Sequence, residues 1–215
     1  LQSKIILSTT IFLVLLPALF YFFVEFGEMP MESRILASFF TAVTPRTAGF
    51  NTVDFSKFSD SGIFLQTLLM LVGAAPGSTG GGMKITTMTV LFLTSVAIFR
   101  NNSRTEAFGR TIPGEVIRNA TTIAFMYICL CVLSGIFISL HENLPLLTTS
   151  FETASAIATV GLTLGITPKL SPVSRVVLIS LMYIGRVGGL CLIYAVFPNA
   201  NPNKGRLVEE NVIVG

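Results

Sequence analysis

Charge is what this sequence has least of. Only 12% of its 215 residues are charged, against 52% hydrophobic residues and a mean hydropathy of +0.76. So little polar surface cannot cover a soluble domain of this size, which puts the chain in a bilayer. There is a single histidine, His141, and the three cysteines, Cys129, Cys131 and Cys191, lie in apolar runs without metal-ligand spacing to it. A disulfide framework and a zinc site are thereby excluded as organising elements, and the cysteines read as small packing residues. The net charge of +3 comes without a basic run long enough to follow a nucleic-acid backbone, so no nucleic-acid partner is expected. No nucleophile–base pair, paired carboxylates or metal cluster emerges, and an enzyme is not expected. The first apolar run has no basic leader or cleavage site before it, so it is not read as a signal peptide, and the chain reads as a piece of a longer one.

What the sequence does have is apolar segments of two lengths. Residues 5–24 are long enough to cross a hydrocarbon core of about 30 Å, with Pro17 tolerated inside the span. Glu25, Glu28 and Glu32 mark an aqueous boundary. Residues 31–43 are too short to span and run into Thr44-Pro45-Arg46-Thr47-Ala48-Gly49-Phe50-Asn51, a pattern expected of a re-entrant helix and loop. Non-helical backbone at membrane depth is permitted only where it is buried in protein or lines water. As one helix, residues 61–99 would be roughly 58 Å long, so a break is expected at residues 73–82, where Pro76 removes a donor and glycines make continued helix costly. Residues 101–116 read as a polar linker, 117–140 as a spanning helix, 146–158 as a second re-entrant helix, 159–165 as its loop, and 172–197 as an unbroken span. Arg186 falls within that last span, and residues 198–215 read as a polar tail.

These pieces repeat. Shifting the chain against itself by 112 positions without a gap lays Ser38, Phe39, Thr41, Thr47 and Gly49 on Ser150, Phe151, Thr153, Thr159 and Gly161, and Gly73 on Gly185. The expected fold is all-α integral membrane, with two consecutive helix, re-entrant pore loop, helix repeats over residues 1–100 and 117–197. Ala158-Thr159-Val160-Gly161-Leu162 has the look of a potassium filter, and Thr47-Ala48-Gly49-Phe50 is its counterpart. Backbone carbonyls can replace an ion's hydration shell if glycines that accept positive φ turn them inward. The alternative is a glycine turn ending a re-entrant helix in some other transporter. Two loops cannot surround an ion with four-fold symmetry, so a complete pore needs two more.

The register sets Gly73 at the depth of Gly185, beside Arg186. Gly73, Pro76, Gly77, Ser78, Thr79, Gly80, Gly81 and Gly82, with Lys84 and Arg186, therefore read as a gate beneath the filter. Charge at mid-membrane nearly always faces a cavity or a partner. The other reading of Arg186 is a buried pair with Glu152, itself the candidate filter support. Gly77 to Lys84 fails as a phosphate loop, because Met83 separates Gly82 from Lys84 and Ile85 stands where Ser or Thr is required.

The motifs around Arg46, Gly77 to Lys84, Thr159 to Leu162 and Gly185-Arg186-Val187-Gly188 resemble the superfamily of K+ transporters that comprises bacterial Trk and Ktr and plant HKT, with the Ktr membrane subunit the nearest likeness. The resemblance implies that these are the third and fourth of four repeats. Gly49 and Gly161 match single filter glycines, residues 73–82 a gating intramembrane loop, and Arg186 a pore arginine. K+ is then the transported ion, held by carbonyls at Thr47, Ala48, Gly49, Thr159, Val160 and Gly161, with Na+ a candidate activator. The resemblance also implies a homodimer on a cytosolic, nucleotide-binding regulatory ring of the KtrA kind, in a bacterial plasma membrane. Gly189-Leu190-Cys191 departs from the expected family pattern.

Side assignment agrees with an outward filter face, which carries a net charge of about −1, and an inward face with linker and tail at +3. The competing functional reading is a secondary carrier with alternating access around the broken helix, although an offset of this kind implies parallel and not inverted repeats. A non-transporting membrane scaffold fits poorly with Arg186 and two re-entrant loops.

Overall fold

The computed structural model describes residues 1–102 and 104–188. Helix α1 (Gln2–Phe20) continues through one π-helical turn, Tyr21–Glu25, as an apolar span of 24 residues. After a short turn, α2 (Met31–Val43) runs 13 residues and stops, and the chain returns through a 3-10 turn at Phe55–Lys57. Helix α3 (Asp60–Leu71) starts at Ser59, whose hydroxyl accepts from the Gly62 amide at 3.1 Å. It breaks at Val72, and the chain becomes helical again only in α4 (Ile85–Phe99). The expected break is therefore present, and it spans residues 72–84.

The same order follows in the second half: α5 (Gly114–Glu142), α6 (Leu146–Ile157), a 3-10 turn at Thr167–Lys169, and α7 (Pro172–Val187). The two 3-10 turns lie 112 residues apart, as do the capping serines Ser59 and Ser171, the latter accepting from the Ser174 amide at 3.4 Å. The repeat is thus one of structure as well as of sequence.

Two expectations are corrected. The 101–116 segment is not simply a polar linker: β1 (Glu106–Ala107) pairs antiparallel with β2 (Arg110–Thr111). Phe108 and Gly109 turn between them with φ of 50° and 73°, the two positive values that a tight hairpin turn requires. Ala107 and Ile112 are buried with Ile5, Val90 and Ala120, which fastens the hairpin to α1, α4 and α5. Strands of two residues have no period to detect. The second correction concerns α7, which does not continue helical through residue 188. It ends at Val187 because Gly188 takes φ 87°, so Arg186 stands in the last turn of α7. Residues 189–215, Cys191 and the tail included, lie outside the described residues.

The main core gathers around α6, which is enclosed by α3, α5 and α7, with Met70, Tyr127, Phe151, Ile157 and Leu178 buried together. Helix α2 packs on α1 instead and leaves Leu36, Phe39 and Phe40 exposed.

Candidate functional site

Helices α2 and α6 each end in the same unusual turn. Thr47 has φ 64° and Gly49 φ 73°; Thr159 has φ 54° and Gly161 φ 93°. A β-branched residue with positive φ is a costly conformation, of order 1–3 kcal/mol, that persists only where the surroundings impose it. Here the helix ends impose it. Ala48 and Gly49 donate to the Thr44 carbonyl at 3.2 and 3.3 Å, the Thr44 hydroxyl donates to the Phe50 carbonyl, and Val160 donates to Ser155 at 2.9 Å. The two loops are neighbours, since a Cβ on Gly49 would collide with the Val160 carbonyl. Gly161 faces open space, with nothing within 4 Å of the position a Cβ would take. Ala48 and Phe50 are exposed, whereas Val160 and Leu162 are buried.

Behind the second loop stands Glu152, only 4% exposed. Its carboxylate accepts from the Thr163 hydroxyl at 2.5 Å, the Leu164 amide at 3.0 Å and the Thr167 hydroxyl at 2.8 Å. A buried carboxylate needs such donors, and these three hold the strand that leaves Leu162. Glu152 does not form the pair with Arg186 raised above as an alternative. Arg186 instead donates from Nη1 to the backbone carbonyl of Thr79.

That contact defines the position of the loop over residues 72–84. Its base is closed by a parallel bridge between Val72 and Met83 and by the Gly73 amide donating to Met83 at 2.7 Å. Ser78 donates back to Ala75, and the Lys84 ammonium donates to the Gly80 carbonyl at 2.5 Å. The Gly81 amide donates to the Thr159 hydroxyl at 3.1 Å, and a Cβ at Gly80 would press on the Thr47 hydroxyl. Gly80, Gly81 and Gly82 thus pass directly against the Thr47 and Thr159 turns, an approach only small residues allow, whereas Gly77 has open space around it and Thr79 turns its carbonyl to Arg186. Ser78, Thr79, Lys84, Arg186 and the glycines line a cavity of about 310 Å³. A larger groove of about 510 Å³ between α1, α4 and the hairpin is almost wholly apolar and lies away from these loops.

Sequence reasoning missed a pair of acidic staples. Glu25 accepts from the Ser59 amide at 3.2 Å and from the Ser59 hydroxyl, while Glu142 accepts from the Ser171 amide at 3.0 Å and the Ser174 hydroxyl at 2.6 Å. Each ties the end of a repeat's first helix to the start of its last. Glu25 and Glu142 are 117 residues apart and not 112, so they do not align in the ungapped repeat, although both sit where a long apolar run ends.

A family model described as "TrkH: Cation transport protein" matches residues 3–203. The chain belongs to the TrkH family of cation transport proteins. That family comprises cation transporters and not enzymes. Among similar proteins are the potassium/sodium uptake protein NtpJ of Enterococcus hirae, 36% identical over all of this chain and 50% of its own length, and the Ktr system potassium uptake protein B of Bacillus subtilis, 34% identical over all of this chain and 49% of its own. This TrkH-family chain therefore spans about half the length of the curated relatives it matches. The crystal structure of the potassium transporter TrkH from Vibrio parahaemolyticus has the same fold, with a TM-score of 0.73 over 89% of this chain and 44% of that one at 20% identity.

Proposed function

We propose that this chain is the second half of a potassium-translocating pore subunit, with K+ passing the carbonyls of Thr47, Ala48, Gly49, Thr159, Val160 and Gly161. The observation that carries the reading is the pair of left-handed Thr-x-Gly turns, 112 residues apart, with a glycine loop hydrogen-bonded beneath them. Such turns aim successive carbonyls to one side, which suits a desolvated monovalent cation better than side-chain charge would. The relatives, potassium and potassium/sodium uptake proteins, support K+ as cargo and leave Na+ a role as second cargo or activator.

The first half of the pore is the remainder of the same protein. Helix α6 is enclosed on one side by α3 of the preceding repeat, whereas among the described residues α2 has no such neighbour and exposes Leu36 to 73%. A preceding repeat supplies that neighbour. Residues 73–82 and Arg186 form the gate: the loop obstructs the path, and the guanidinium raises the barrier to a cation. The membrane potential then drives entry with about 2.3 kcal/mol per charge per 100 mV. The protomer works as a homodimer in the bacterial plasma membrane, filters outward, with the hairpin and its arginines toward a cytosolic nucleotide-binding ring.

The test is K+ and Na+ uptake by the full-length transporter carrying Gly161→Ser. Selectivity for K+ should fall while the protein still inserts and assembles. Unchanged selectivity and rate would remove the filter from this reading.

A further inference from the structure

Arg46 is the least expected feature of the third repeat, a guanidinium one residue before a filter turn. Its acceptors are all carbonyls that regular helix leaves free. Nη1 donates to Val72 and, at 3.4 Å, to Leu69; Nη2 donates to Leu13 at 3.3 Å. The Val72 bond is the tight one. Leu69 and Val72 lie at the C-terminus of α3, where the last carbonyls have no intrahelical donor and a cation is favoured by the helix dipole. Leu13 is four residues before Pro17, which has no N–H to offer it. The proline and the helix break together prepare a cradle of bare carbonyls, and Arg46 fills it.

The cradle belongs to one repeat only. The position equivalent to Arg46 in the other repeat is Ala158, and α5 contains no proline. There α7 runs on through Ile184 and Gly185, the counterparts of Val72 and Gly73. Arginine, proline and helix break are present together in the third repeat, and none of the three stands at the equivalent position of the fourth.

The ladder pairing at Val72 gives this arrangement a use. The same residue bridges to Met83 at the base of the intramembrane loop, and the Gly73 amide donates to Met83. The loop is then fastened at three places: its base to the Thr47 turn through Arg46, its middle to the Thr159 turn through Gly81, and its tip to Arg186. We propose that Arg46 is a positioning residue which couples the third-repeat filter turn to the hinge of the intramembrane loop, so that displacement of the loop is felt in the filter. The proposal rests on the pore reading above. On it, the hinge at Val72 and Met83 stays anchored while the loop's middle and tip move, and the conformation of Thr47 to Gly49 depends on that anchor.

The experiment uses the full-length transporter in proteoliposomes, with K+ influx (KM and maximal rate) and K+ over Na+ selectivity measured for Arg46→Gln, Arg46→Lys and Pro17→Ala. Each is made with the native loop and with residues 77–81 deleted. Losing one charge-assisted hydrogen bond to the anchor should cost about tenfold in selectivity and raise the maximal rate with the native loop. Deleting residues 77–81 should abolish the rate effect and leave only the selectivity effect. Equal effects of Arg46→Gln in both backgrounds, or none in either, would overturn the coupling. Should Arg46→Gln fail to assemble, Arg46→Lys and Pro17→Ala carry the test. Pro17→Ala gives Leu13 an N–H that competes with Nη2, so it should shift both quantities in the same direction by less. Native values for both of these in well-assembled protein would also overturn it. Gly161→Ser in the same assay separates the two ideas, because its neutrality defeats the pore reading itself.

Discussion

Gly49 and Gly161 occupy equivalent turns and meet different surroundings. Both have positive φ, which costs an L-residue roughly 1–2 kcal/mol, yet only Gly49 faces a carbonyl that a Cβ would strike. Gly49→Ser should therefore lower the thermal stability of the purified transporter as well as its K+ selectivity, while Gly161→Ser, which meets backbone strain but no clash, should affect selectivity with a smaller fall in melting temperature. A thermal-shift series beside the uptake assay checks this. Glu152→Gln presents two donors where the pocket supplies only donors, leaving buried groups unpaired at a cost of about 1–3 kcal/mol. It should destabilise the protein more than Thr163→Val, and the same melting measurement decides. Asp54 differs again, being exposed. Its carboxyl is held below the usual range by the Ser56 hydroxyl and amide, so the folded form binds its proton less readily than the unfolded one. The stability it contributes to the Phe55–Lys57 turn is present above the ordinary carboxylate pKa and is lost as pH falls through the lowered one. Asp54→Asn should remove that acid sensitivity, read as proteolysis of the 51–59 segment against pH.

Among the elements, the hairpin and the loop between α3 and α4 both depend on glycine for unlike reasons. Gly109 has φ 73° and open space around it, so Gly109→Ala pays backbone strain alone, about 1 kcal/mol, and should leave flux unchanged. Gly73 has an ordinary φ but no room, since a Cβ there meets the Gly81 carbonyl. Gly73→Ala must part the base of the loop, and the expected result is a higher K+ influx at retained expression. The elements also differ in how far they could be read in advance. Helix α2 spans residues 31–43 in reading and structure alike, because an acidic boundary and Pro30 open it and Thr44-Pro45 follow it. The break in the long 61–99 segment was legible from length and Pro76. The hairpin was not, for its turn is Phe108-Gly109 and lacks the Asn-Gly signature, and the end of α7 depends on a single glycine, Gly188, among several that stay helical or extended.

For the whole molecule, an open α2 and an enclosed α6 mean that among the described residues α2 lacks the neighbour that α6 has. Expressed alone, the 215-residue chain should give no K+ uptake in cells lacking their own uptake systems, and co-expression with the preceding half should restore it. Uptake by the isolated chain would contradict a four-loop pore.

Sequence by itself determined the bilayer setting, the number and order of the apolar segments, the repeat of 112 and the left-handed glycines, because hydropathy, helix length and φ preference are local properties. It also brought Arg186 and the loop to the same depth, through the register of the repeat. What only the tertiary structure decided is who holds whom: Thr159 the Gly81 amide, Arg186 the Thr79 carbonyl, Arg46 the carbonyls of Leu13 and Val72, Glu152 the loop and not Arg186. These partners lie 11 to 107 residues apart, and their choice depends on which carbonyls a proline or a helix end happens to leave bare. Periodicity does not register such vacancies, and packing does.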